Sequence, residues 1–296
     1  MNSKYILITG GTGFLGKHFV EALKKSFHSA LVLTRFPEKY IAEENDNITY
    51  KQATLESIRS VFEDYDIYAV VHLATNYGKS DSVNDTIFCN LMLPLELLKL
   101  SIKNKVNLFI NADSFFTDYY TTYEYLSDYS TSKYQFKYWA KKLVERADFK
   151  FINLKIFHLY GPGDSPDKFI PRTIISMLNN ELEIRLSKGD QIRDFVFVDD
   201  VIKILYELVN LRIEVKHGFN DYDIGSCFGV TIEEIVNKIR YLTNTSSKVR
   251  IGCLPERKGE IMYAVAETNP LNQIFKFTPI DAGLIKTINY YKILPL

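Results

Sequence analysis

Short runs of apolar, β-branched residues recur through the first part of the chain and are typical of buried strands. Five such runs precede residue 112, at 5–9, 30–34, 48–51, 69–73 and 107–111. Between them, residues 14–25 and 83–104 carry apolar side chains at helical spacing. Strands that alternate with helices imply right-handed crossovers and a parallel sheet. The pattern therefore predicts an α/β fold.

The alternation loosens in the second half of the chain. A helix predicted over 129–146 is followed by a sixth apolar segment at 151–159, and Gly161, Pro162 and Gly163 then interrupt the pattern. Beyond them, the apolar segment 194–198 lies among more polar stretches. We expect a smaller, interleaved C-terminal lobe that binds substrate. The expected ranges are 1–161 and about 193–223 for the larger domain, and 162–192 and 224–296 for the lobe.

A glycine-rich turn follows the first predicted strand directly. Glycines stand at positions 10, 13 and 16, and the helix pattern opens at Phe14. Such a turn lets the backbone approach a pyrophosphate, while the first N–H groups of the helix face the anion. A strand before the turn and a helix after it make the signal specific. The sequence therefore predicts a dinucleotide-binding domain with a Rossmann-like, doubly wound parallel sheet, in which Gly10, Gly13 and Gly16 contact the cofactor.

The end of the second predicted strand bears on the choice of cofactor. An acidic residue there would bind the ribose 2′-hydroxyl of NAD, but the strand ends Leu33-Thr34-Arg35. A guanidinium at this place suits the 2′-phosphate of NADP. Arg35 therefore favours NADP(H), and a solvated arginine at a strand end is the alternative interpretation.

Two tyrosine–lysine pairs with a spacing of four lie in the predicted helix 129–146: Tyr129 with Lys133, and Tyr138 with Lys142. Reduction of a carbonyl needs a proton donor, and a phenol serves if a nearby ammonium lowers its pKa from about 10. Tyr129 follows a loop at the start of the helix, whereas Tyr138 is mid-helix, where packing is the simpler interpretation. We therefore assign the catalytic pair to Tyr129 and Lys133.

Composition and charge exclude several other classes of protein. The 46% hydrophobic and 24% charged residues are those of an ordinary globular protein. Thirty-six basic and 36 acidic residues cancel, so no basic field exists to attract nucleic acid or anionic lipid. Three well-separated cysteines lack metal-type spacing, and no apolar run approaches the ~20 residues of a membrane span. We expect a reduced, cytoplasmic protein without a targeting segment, a metal site, or a nucleic-acid or membrane partner.

Together, these motifs resemble the extended short-chain dehydrogenase/reductase family, also known as the NAD-dependent epimerase/dehydratase family. They occur in the family's order over most of the chain: Thr9 to Gly16, His72-Leu73-Ala74, Asn90, Tyr129-x-x-Ser132-Lys133, Tyr160-Gly161-Pro162-Gly163, Arg193-Asp194-Phe195 and Asp199-Asp200. Several stretches are similar to the subgroup that reduces C4 of CDP-linked 4-keto sugars. The resemblance implies NADPH-dependent reduction of a nucleotide-linked 6-deoxy-4-keto sugar, with CDP as the nucleotide. It also implies a place in O-antigen, lipopolysaccharide or capsule sugar biosynthesis and a homodimer.

The resemblance further implies a role for individual side chains. The implied cofactor contacts are Gly10, Thr12, Gly13, Phe14, Leu15, Gly16, Arg35, Leu73, Ala74, Thr75, Asn90, Tyr129 and Lys133. The implied substrate contacts are Asp113, His158, Lys168, Phe169, Arg193 and Arg257. Several of these have structural alternatives: a surface ion pair for Arg193, a solvated charge run for Arg257, and a core histidine for His158. His72 and Asp200 are expected to organise the scaffold.

Position 112 departs from the family's pattern. The catalytic Ser or Thr of the family follows the fifth strand, and by register Ala112 stands there. A methyl group donates no hydrogen bond, and loss of one such donor typically costs about 2.7–4 kcal/mol of transition-state stabilisation. Ser114 or Asp113 could supply the contact, the enzyme could be slow, or the chain could be an engineered variant. Ser114 ranks first, because residues two apart on a strand point to the same side.

Two other functions compete with a reductase. An epimerase or dehydratase on the same scaffold would retain a tightly bound NAD, but Arg35 and the absence of a Glu at position 114 speak against it. A non-catalytic NADP-binding protein is suggested by Ala112, and the intact pair of Tyr129 and Lys133 speaks against that.

Replacing Arg35 tests the cofactor assignment. We expect Arg35→Ala to weaken NADPH binding by about tenfold or more, because it removes a charge-assisted hydrogen bond to the 2′-phosphate, and to leave NADH binding nearly unchanged. Dissociation constants for both cofactors from fluorescence titration measure this. Tighter binding of NADH than NADPH, with the same preference in the variant, would show the assignment to be wrong.

Overall fold

The computed structural model describes residues 4–78 and 82–293, which form strands and helices in alternation. The strands are β1 Lys4–Thr9, β2 Ser29–Thr34, β3 Ile48–Gln52, β4 Asp66–His72, β5 Leu108–Ser114, β6 Lys150–Ile156, β7 His158–Tyr160, β8 Glu183–Arg185, β9 Ile192–Arg193, β10 Phe195–Phe197, β11 Gly218–Ile224, β12 Val230–Thr231, β13 Lys248–Arg250 and β14 Tyr263–Ala264. The α-helices are α1 Phe14–Lys24, α2 Leu55–Asp64, α3 Val83–Ile87, α4 Leu93–Lys103, α5 Ser127–Val144, α6 Phe169–Leu178, α7 Val198–Val209, α8 Ile232–Thr243, α9 Pro270–Ile274 and α10 Ile280–Ile293.

Seven strands form the central sheet, in the order β11-β6-β5-β4-β1-β2-β3. The pairings of β1 with β2 and β4, of β2 with β3, and of β4 with β5 are parallel. The chain runs outward from β1 to β3 and then crosses back to β4, so the strand order reverses between β1 and β4. In parallel sheets of this kind, ligands bind beyond the carboxyl ends of the strands at that reversal. The Rossmann-like α/β prediction is confirmed.

Apolar side chains from the sheet and from α4 and α5 form the core beside the strands that carry the site. Leu97 of α4 is fully buried, and the rings of Phe109 and Phe151 stack with centroids 5.3 Å apart. Phe136 of α5 meets Phe151 edge to face at 6.2 Å. This packing fixes α5 against β5 and β6, which sets the place of every side chain on the inner face of α5.

His72 joins β4 to β1 at their carboxyl ends. Its Nδ1 lies 2.7 Å from the Thr9 hydroxyl, and the Leu73 N–H donates to the Thr9 carbonyl oxygen at 3.0 Å. Burial lowers the pKa of His72 to about 3, so the ring is neutral. These contacts agree with the structural role expected for His72.

Two predicted elements differ from the observed ones. The helix predicted over 83–104 is α3, a π-helical segment Phe88–Met92 and α4 in succession. The segment predicted as one strand over 151–159 is two strands: β6 belongs to the central sheet, and β7 pairs with β10 in a separate two-stranded sheet. The break falls at Phe157, whose N–H donates to the Ile224 carbonyl oxygen at 3.1 Å.

The chain divides into two compact units. The first unit is Met1–Thr122, Leu126–Lys155 and Ile202–Tyr222, and the second unit is Tyr123–Tyr125, Ile156–Val201 and Asp223–Leu296. These bounds differ from the expected ones, because residues 123–125, 156–161 and 193–201 belong to the second unit. The pairing of β7 with β10 explains the last two differences, since it joins those two segments to each other.

A buried carboxylate organises the second unit. Asp194 is fully buried and accepts hydrogen bonds from the Ser226 hydroxyl at 2.7 Å and from the N–H groups of Ser226, Cys227 and Ala266 at 3.0, 2.9 and 3.3 Å. Asp200 similarly accepts from the hydroxyl and N–H of Thr278, both at 2.8 Å. Asp200 therefore has the scaffold role expected for it.

Within residues 4–78 and 82–293, no helix combines the length and the hydrophobicity needed to cross a membrane. The same residues contain no group of three or more His, Cys, Asp or Glu side chains arranged to hold a metal ion. Their three cysteines, Cys89, Cys227 and Cys253, are free thiols.

Candidate active site

The glycine loop connects β1 to α1 and is shaped by close backbone contacts. Gly10 has φ +70°, a conformation that favours glycine, and a Cβ there would overlap the Ala74 backbone nitrogen. A Cβ at Gly16 would overlap the Gly10 carbonyl oxygen. Both glycines are therefore required by the fold itself. Leu73 and Ala74, two of the implied cofactor contacts, lie directly against Gly10.

Gly13 is not required by the fold in this way. Its φ of −83° and ψ of 179° are open to any residue, and a Cβ would meet only the Gly10 carbonyl oxygen, at 3.3 Å. Gly13 is exposed, and Thr12, Phe14 and Leu15 beside it are half-buried. The missing side chain leaves bare backbone at the start of α1, where a pyrophosphate needs to approach closely. The loop therefore fits a dinucleotide cofactor.

Two cations flank an aromatic ring at the end of β2. Arg35 is exposed, and its guanidinium carbon lies 5.8 Å from the centroid of the Phe36 ring. The Lys39 ammonium lies 4.5 Å from the same centroid. The last residue of the strand is Thr34, which carries no charge. In NAD-dependent proteins of this fold, an acidic residue at the end of this strand binds the ribose. Here the strand ends in an uncharged residue, and the nearest charges are positive.

Tyr129 lies in the first turn of α5 and is 5% exposed. The hydroxyls of Ser114, at the end of β5, and of Thr75, in the loop after β4, lie near its phenol and lower its pKa as hydrogen-bond donors. The Tyr77 ring stacks on the Tyr129 ring at 5.1 Å, and the Phe116 ring meets it edge to face at 6.4 Å. The phenol is thus enclosed by two hydroxyls and two aromatic rings.

The pKa of Tyr129 is raised well above 10. Burial is the main cause, followed by the phenol of Tyr77, and the hydrogen bond from Ser114 acts in the opposite direction. We expected the Lys133 ammonium to lower this pKa, and the structure corrects that expectation because desolvation dominates. The phenol therefore stays protonated at neutral pH, which is the form that donates a proton.

Lys133 lies one helical turn after Tyr129 and is also 5% exposed. Its ammonium donates to the Ala112 carbonyl oxygen at 2.7 Å and lies 5.8 Å from the centroid of the Tyr129 ring. Burial lowers the pKa of Lys133, while Asp113 and Cys89 raise it. The lysine thus stands beside the phenol and is fixed to the strand on which the family's hydroxyl residue would lie.

Asn90 connects the loop after β4 to α5. It lies in the π-helical segment Phe88–Met92, and its Nδ2 donates to the Asn76 carbonyl oxygen at 2.7 Å and to the Ser132 hydroxyl at 3.0 Å. Its Oδ1 accepts from the Asn76 N–H at 2.8 Å. The amide is therefore satisfied by protein groups, and Asn90 holds the loop that carries Thr75 rather than presenting a free amide to a cofactor.

The second tyrosine–lysine pair lies on the exposed side of α5. Tyr138 is 50% exposed and meets Trp139 edge to face at 5.8 Å. Lys142 forms an ion pair with Glu145 at 3.7 Å. The geometry therefore favours Tyr129 and Lys133 as the catalytic pair.

The end of β5 points successive side chains in opposite directions. Ser114 directs its hydroxyl to the phenol of Tyr129, whereas the Asp113 carboxylate accepts from Asn153 Nδ2 at 2.8 Å and from the Thr117 hydroxyl at 3.4 Å. Of the two residues that could replace the missing hydroxyl at Ala112, Ser114 is the one beside the phenol.

The two arginines implied as substrate contacts belong to the second unit and differ in environment. Arg193 is buried, and its guanidinium donates to Glu260 Oε1 at 2.6 Å, so it forms an ion pair that is buried and not the surface pair considered as the alternative. Arg257 is exposed, donates to the Tyr123 hydroxyl at 3.2 Å and stacks over the Tyr125 ring at 4.0 Å. Arg257 therefore offers the more accessible guanidinium.

The remaining implied substrate contacts also lie in the second unit. The His158 ring lies 5.6 Å from the Phe195 ring, and burial together with Arg193 holds the pKa of His158 well below 6.5. Lys168 forms an ion pair with the buried Asp164 at 2.9 Å, immediately before α6 begins at Phe169. His158 is therefore neutral, and the Lys168 ammonium is held close to the start of α6.

Sequence reasoning missed the aromatic enclosure of the phenol. Tyr77 and Phe116 were given no role of their own, and their contacts with Tyr129 arise from the packing of two segments that follow strands. Their position in the sequence could have indicated them. Tyr77 follows β4 and Phe116 follows β5 closely, at the edge of the sheet where ligands bind in this fold.

Known proteins agree with this architecture. The sequence profile of the NAD dependent epimerase/dehydratase family matches residues 6–225. The chain belongs to this family. This confirms the resemblance inferred from the motifs.

Two curated relatives are CDP-abequose synthases. The protein from Salmonella typhimurium (strain LT2) is 34% identical over 278 residues, which cover 90% of this chain and 91% of that protein. The protein from Salmonella muenchen is 34% identical over 280 residues, with 92% of both chains covered.

Solved structures of low identity share the fold. UDP-glucose 4-epimerase from Thermotoga maritima, solved with UDP-glucose, has a TM-score of 0.82 at 22% identity and covers 97% of this chain and 98% of its own. UDP-glucuronic acid 4-epimerase from Bacillus cereus, solved with UDP-glucuronic acid and NAD, has a TM-score of 0.81 at 21% identity, with 97% and 99% covered.

The glycine loop yields a paired prediction. We expect Gly13→Ala to fold normally and to bind a nicotinamide dinucleotide at least about tenfold more weakly, because the methyl group occupies the approach to the bare backbone. Gly16→Ala should instead destabilise the protein by about 1–3 kcal/mol or prevent folding, since its Cβ overlaps the Gly10 carbonyl. Thermal unfolding and calorimetric titration measure the two effects. Unchanged cofactor affinity in Gly13→Ala would contradict the assignment of the loop.

Proposed function

We propose that this chain uses NADPH to reduce the C4 keto group of a nucleotide-linked 6-deoxy-4-keto sugar, with CDP as the nucleotide. The observation that carries the proposal is the buried phenol of Tyr129, which lies near the Ser114 hydroxyl and has the Lys133 ammonium 5.8 Å from the centroid of its ring. The choice of CDP is supported by the two CDP-abequose synthases that are 34% identical over at least 90% of this chain.

Tyr129 is the general acid in this reaction. The bound NADPH supplies the hydride that reduces the keto carbon. The Tyr129 phenol gives its proton to the oxygen that gains negative charge, so the keto group becomes a hydroxyl. Because burial keeps the phenol protonated, the acid is ready at neutral pH. The stacked Tyr77 ring and the edge of Phe116 restrict water around the phenol.

Lys133 assists the proton transfer electrostatically. Its ammonium, fixed on the Ala112 carbonyl, stabilises the phenolate that Tyr129 becomes after the transfer. The same ammonium would hold the nicotinamide ribose of a bound cofactor, so that one lysine would both orient the cofactor and support the acid.

Ser114 supplies the hydrogen bond that Ala112 lacks. Its hydroxyl already faces the phenol, so it lies where a substrate carbonyl would meet the acid. A donor at this place stabilises the charge that develops on the carbonyl oxygen. The proposal thus explains how a reductase of this family works without a hydroxyl at position 112.

The charges at the end of β2 support NADP(H) over NAD. Arg35 and Lys39 flank Phe36 where an acid would bind the ribose of NAD, and both cations suit a 2′-phosphate. An epimerase or dehydratase that retains NAD would need an acid there to hold the cofactor. The neighbouring charges therefore favour a reductase that exchanges NADPH and NADP.

Other parts of the proposal rest on accessible surfaces. Arg257 offers an exposed guanidinium for the diphosphate of the substrate, whereas Arg193 is engaged by Glu260. Exposed apolar side chains on α3 and α5, among them Val83 and Trp139, support a homodimer through these helices. We place the enzyme in the cytoplasm, in the synthesis of O-antigen or capsule sugars.

Tyr129→Phe tests the proposed activity. With NADPH and a panel of CDP-, dTDP- and UDP-linked 4-keto-6-deoxy sugars, the parent should oxidise NADPH and form a C4 hydroxyl, with CDP sugars turned over most rapidly. Tyr129→Phe should lower kcat by about 10²-fold or more, because the general acid is gone. Absorbance at the nicotinamide band and NMR of the products measure both outcomes.

Tyr138→Phe is the matched control for this test, since it removes the same hydroxyl from the exposed face of α5. It should leave kcat unchanged. Loss of activity in Tyr138→Phe with full activity in Tyr129→Phe would reverse the assignment. Interconversion of 4-hydroxy sugars by protein carrying a tightly bound NAD would instead identify an epimerase.

Substitutions at 112 and 114 test the displaced donor. Ser114→Ala should lower kcat by about 10²–10³-fold, the usual effect of losing one such donor, whereas Ala112→Thr should raise it. In the double variant, the threonine should restore part of the activity lost at Ser114. Steady-state kinetics measure these effects, with Ser60→Ala on the exposed surface of α2 as the control. If neither single variant changes kcat, Ser114 has no part in the reaction.

A further inference from the structure

A buried polar network lies in the first unit, where α5 meets β5, β6 and β11. Asn153 of β6 has no exposed surface, and its Nδ2 donates to Asp113 Oδ2 and to Asp221 Oδ1, both at 2.8 Å. Lys137, one turn after Lys133 on α5, forms an ion pair with Asp221 at 2.7 Å. The network therefore runs from the end of β5 to α5 through a single amide.

The amide of Asn153 contributes hydrogen bonds to the network, whereas filling the core does not require an amide at this position. Its neighbours on β6, Ile152 and Leu154, are apolar and fully buried. Burying an amide among such residues is costly unless it is hydrogen-bonded, and an aliphatic side chain would fill the same space without that cost. Asn153 is fully engaged instead, because its Oδ1 also accepts from Asn111 Nδ2 at 2.6 Å.

Asp113 and Lys133 are opposite charges that share this buried region. Asp113 is 4% exposed and Lys133 is 5% exposed. The Lys133 ammonium is fixed 2.7 Å from the carbonyl oxygen of Ala112, the residue directly before Asp113. With Lys137 and Asp221, the region holds two ammonium and two carboxyl groups, so its charges balance. Isolated buried charges would be strongly unfavourable, whereas opposite charges that balance within one buried region are tolerated more readily.

We propose that Asp113 is the counter-charge that keeps Lys133 protonated and in place, and that Asn153 holds the Asp113 carboxylate for this task. Asp113 is then a positioning residue that acts through Lys133. This replaces the substrate contact that the family resemblance implied for Asp113. The inference rests on the proposed function only for its effect on turnover, because the protonation of Lys133 can be measured in the protein alone.

The groups around Lys133 identify Asp113 as the source of negative charge. The titratable groups near the Lys133 ammonium are Asp113 of β5, His72 of β4, Cys89 of the π-helical segment and Tyr129 of its own helix. His72 is neutral, and burial raises the pKa of both the Cys89 thiol and the Tyr129 phenol. Asp113 is therefore the group among these four that can oppose the effect of burial on Lys133.

The carboxyl of Asp113 depends in turn on its own surroundings. Its pKa is raised above the usual value, because burial outweighs the effects of Lys133, the hydrogen bond from Asn153, and Lys137, which all lower it. Asp221 faces the same amide from β11 and pairs with Lys137. Removal of either carboxylate should therefore leave excess positive charge near Lys133 and favour its neutral form.

The direct test is a titration of Lys133 in the protein without cofactor. Lysine labelled with ¹³C at Cε reports the charge of each ammonium by NMR, and Lys133→Met identifies the Lys133 signal. Asp113→Asn, which keeps the shape of the side chain, should lower the pKa of Lys133 by about one unit or more, the usual effect of losing a nearby opposite charge. An unchanged Lys133 titration in the folded variant, even with a lower Tm, would overturn the proposal.

Two further variants control the experiment. Asp118→Asn removes an exposed carboxylate from the turn that follows β5, where Asp118 pairs with Lys155, and should leave the Lys133 titration unchanged. Asp221→Asn, at a partly exposed position, should lower the Lys133 pKa by less than Asp113→Asn does. If Asp113→Asn does not fold, Asp221→Asn decides: an unchanged titration in that variant contradicts the network.

Kinetics extend the test to turnover. Loss of the Asp113 charge also removes a group that raises the pKa of Tyr129, so both Lys133 and Tyr129 should lose their protons at lower pH. The alkaline limb of the kcat/KM profile in Asp113→Asn should then move to lower pH by about one unit. A shifted Lys133 titration in a protein without reductase activity would retain this inference and reject the proposed function. An unshifted alkaline limb in an active variant would overturn the link to turnover.

Discussion

The hydrogen bond from the Lys133 ammonium to the Ala112 carbonyl oxygen is the contact on which the candidate site depends. It joins α5 to the carboxyl end of β5 at 2.7 Å, and the Lys133 side chain that makes it is buried. Because residues four apart lie on the same face of a helix, fixing Lys133 also fixes Tyr129. The phenol then meets the hydroxyl of Ser114 at the end of the same strand. One donor and one carbonyl thus determine where the acid, its neighbouring charge and the nearby hydroxyl lie.

Burial sets the electrostatics of this region, and individual charges adjust it. Desolvation raises the pKa of Tyr129, lowers that of Lys133 and raises that of Asp113, so each group is pushed toward its neutral form. For the phenol, the neutral form is the one an acid catalyst needs. For Lys133, the neutral form is unsuitable, because the proposed role of the lysine needs a positive charge. A buried carboxyl held by Asn153 would favour that charge. The same low-dielectric environment therefore favours one member of the pair and requires a partner for the other.

Features that depend on local sequence were predictable, and those that depend on packing were not. The parallel sheet and the glycine loop follow from periodicity and from residues that are adjacent in the chain. The sheet is confirmed, and the loop connects β1 to α1 as predicted. The break at Phe157 was missed because it depends on the pairing of β7 with β10, whose residues lie far apart in sequence. The direction of the Tyr129 pKa shift was wrong for a related reason: spacing reveals the neighbouring lysine but not the depth of burial.

In the proposed mechanism, Ser114 keeps a hydroxyl in the site although position 112 has none. Strand alternation places residues 112 and 114 on the same side of β5, and Asp113 between them turns the other way, toward Asn153. A hydroxyl at position 114 therefore points to the same side of β5 as one at position 112 would, but it lies two residues further along the strand. The displacement carries the hydroxyl toward the first turn of α5, where the phenol lies. A shift by one residue would have pointed the donor into the buried amide network, so the two-residue step is the smallest one that preserves a donor at the acid.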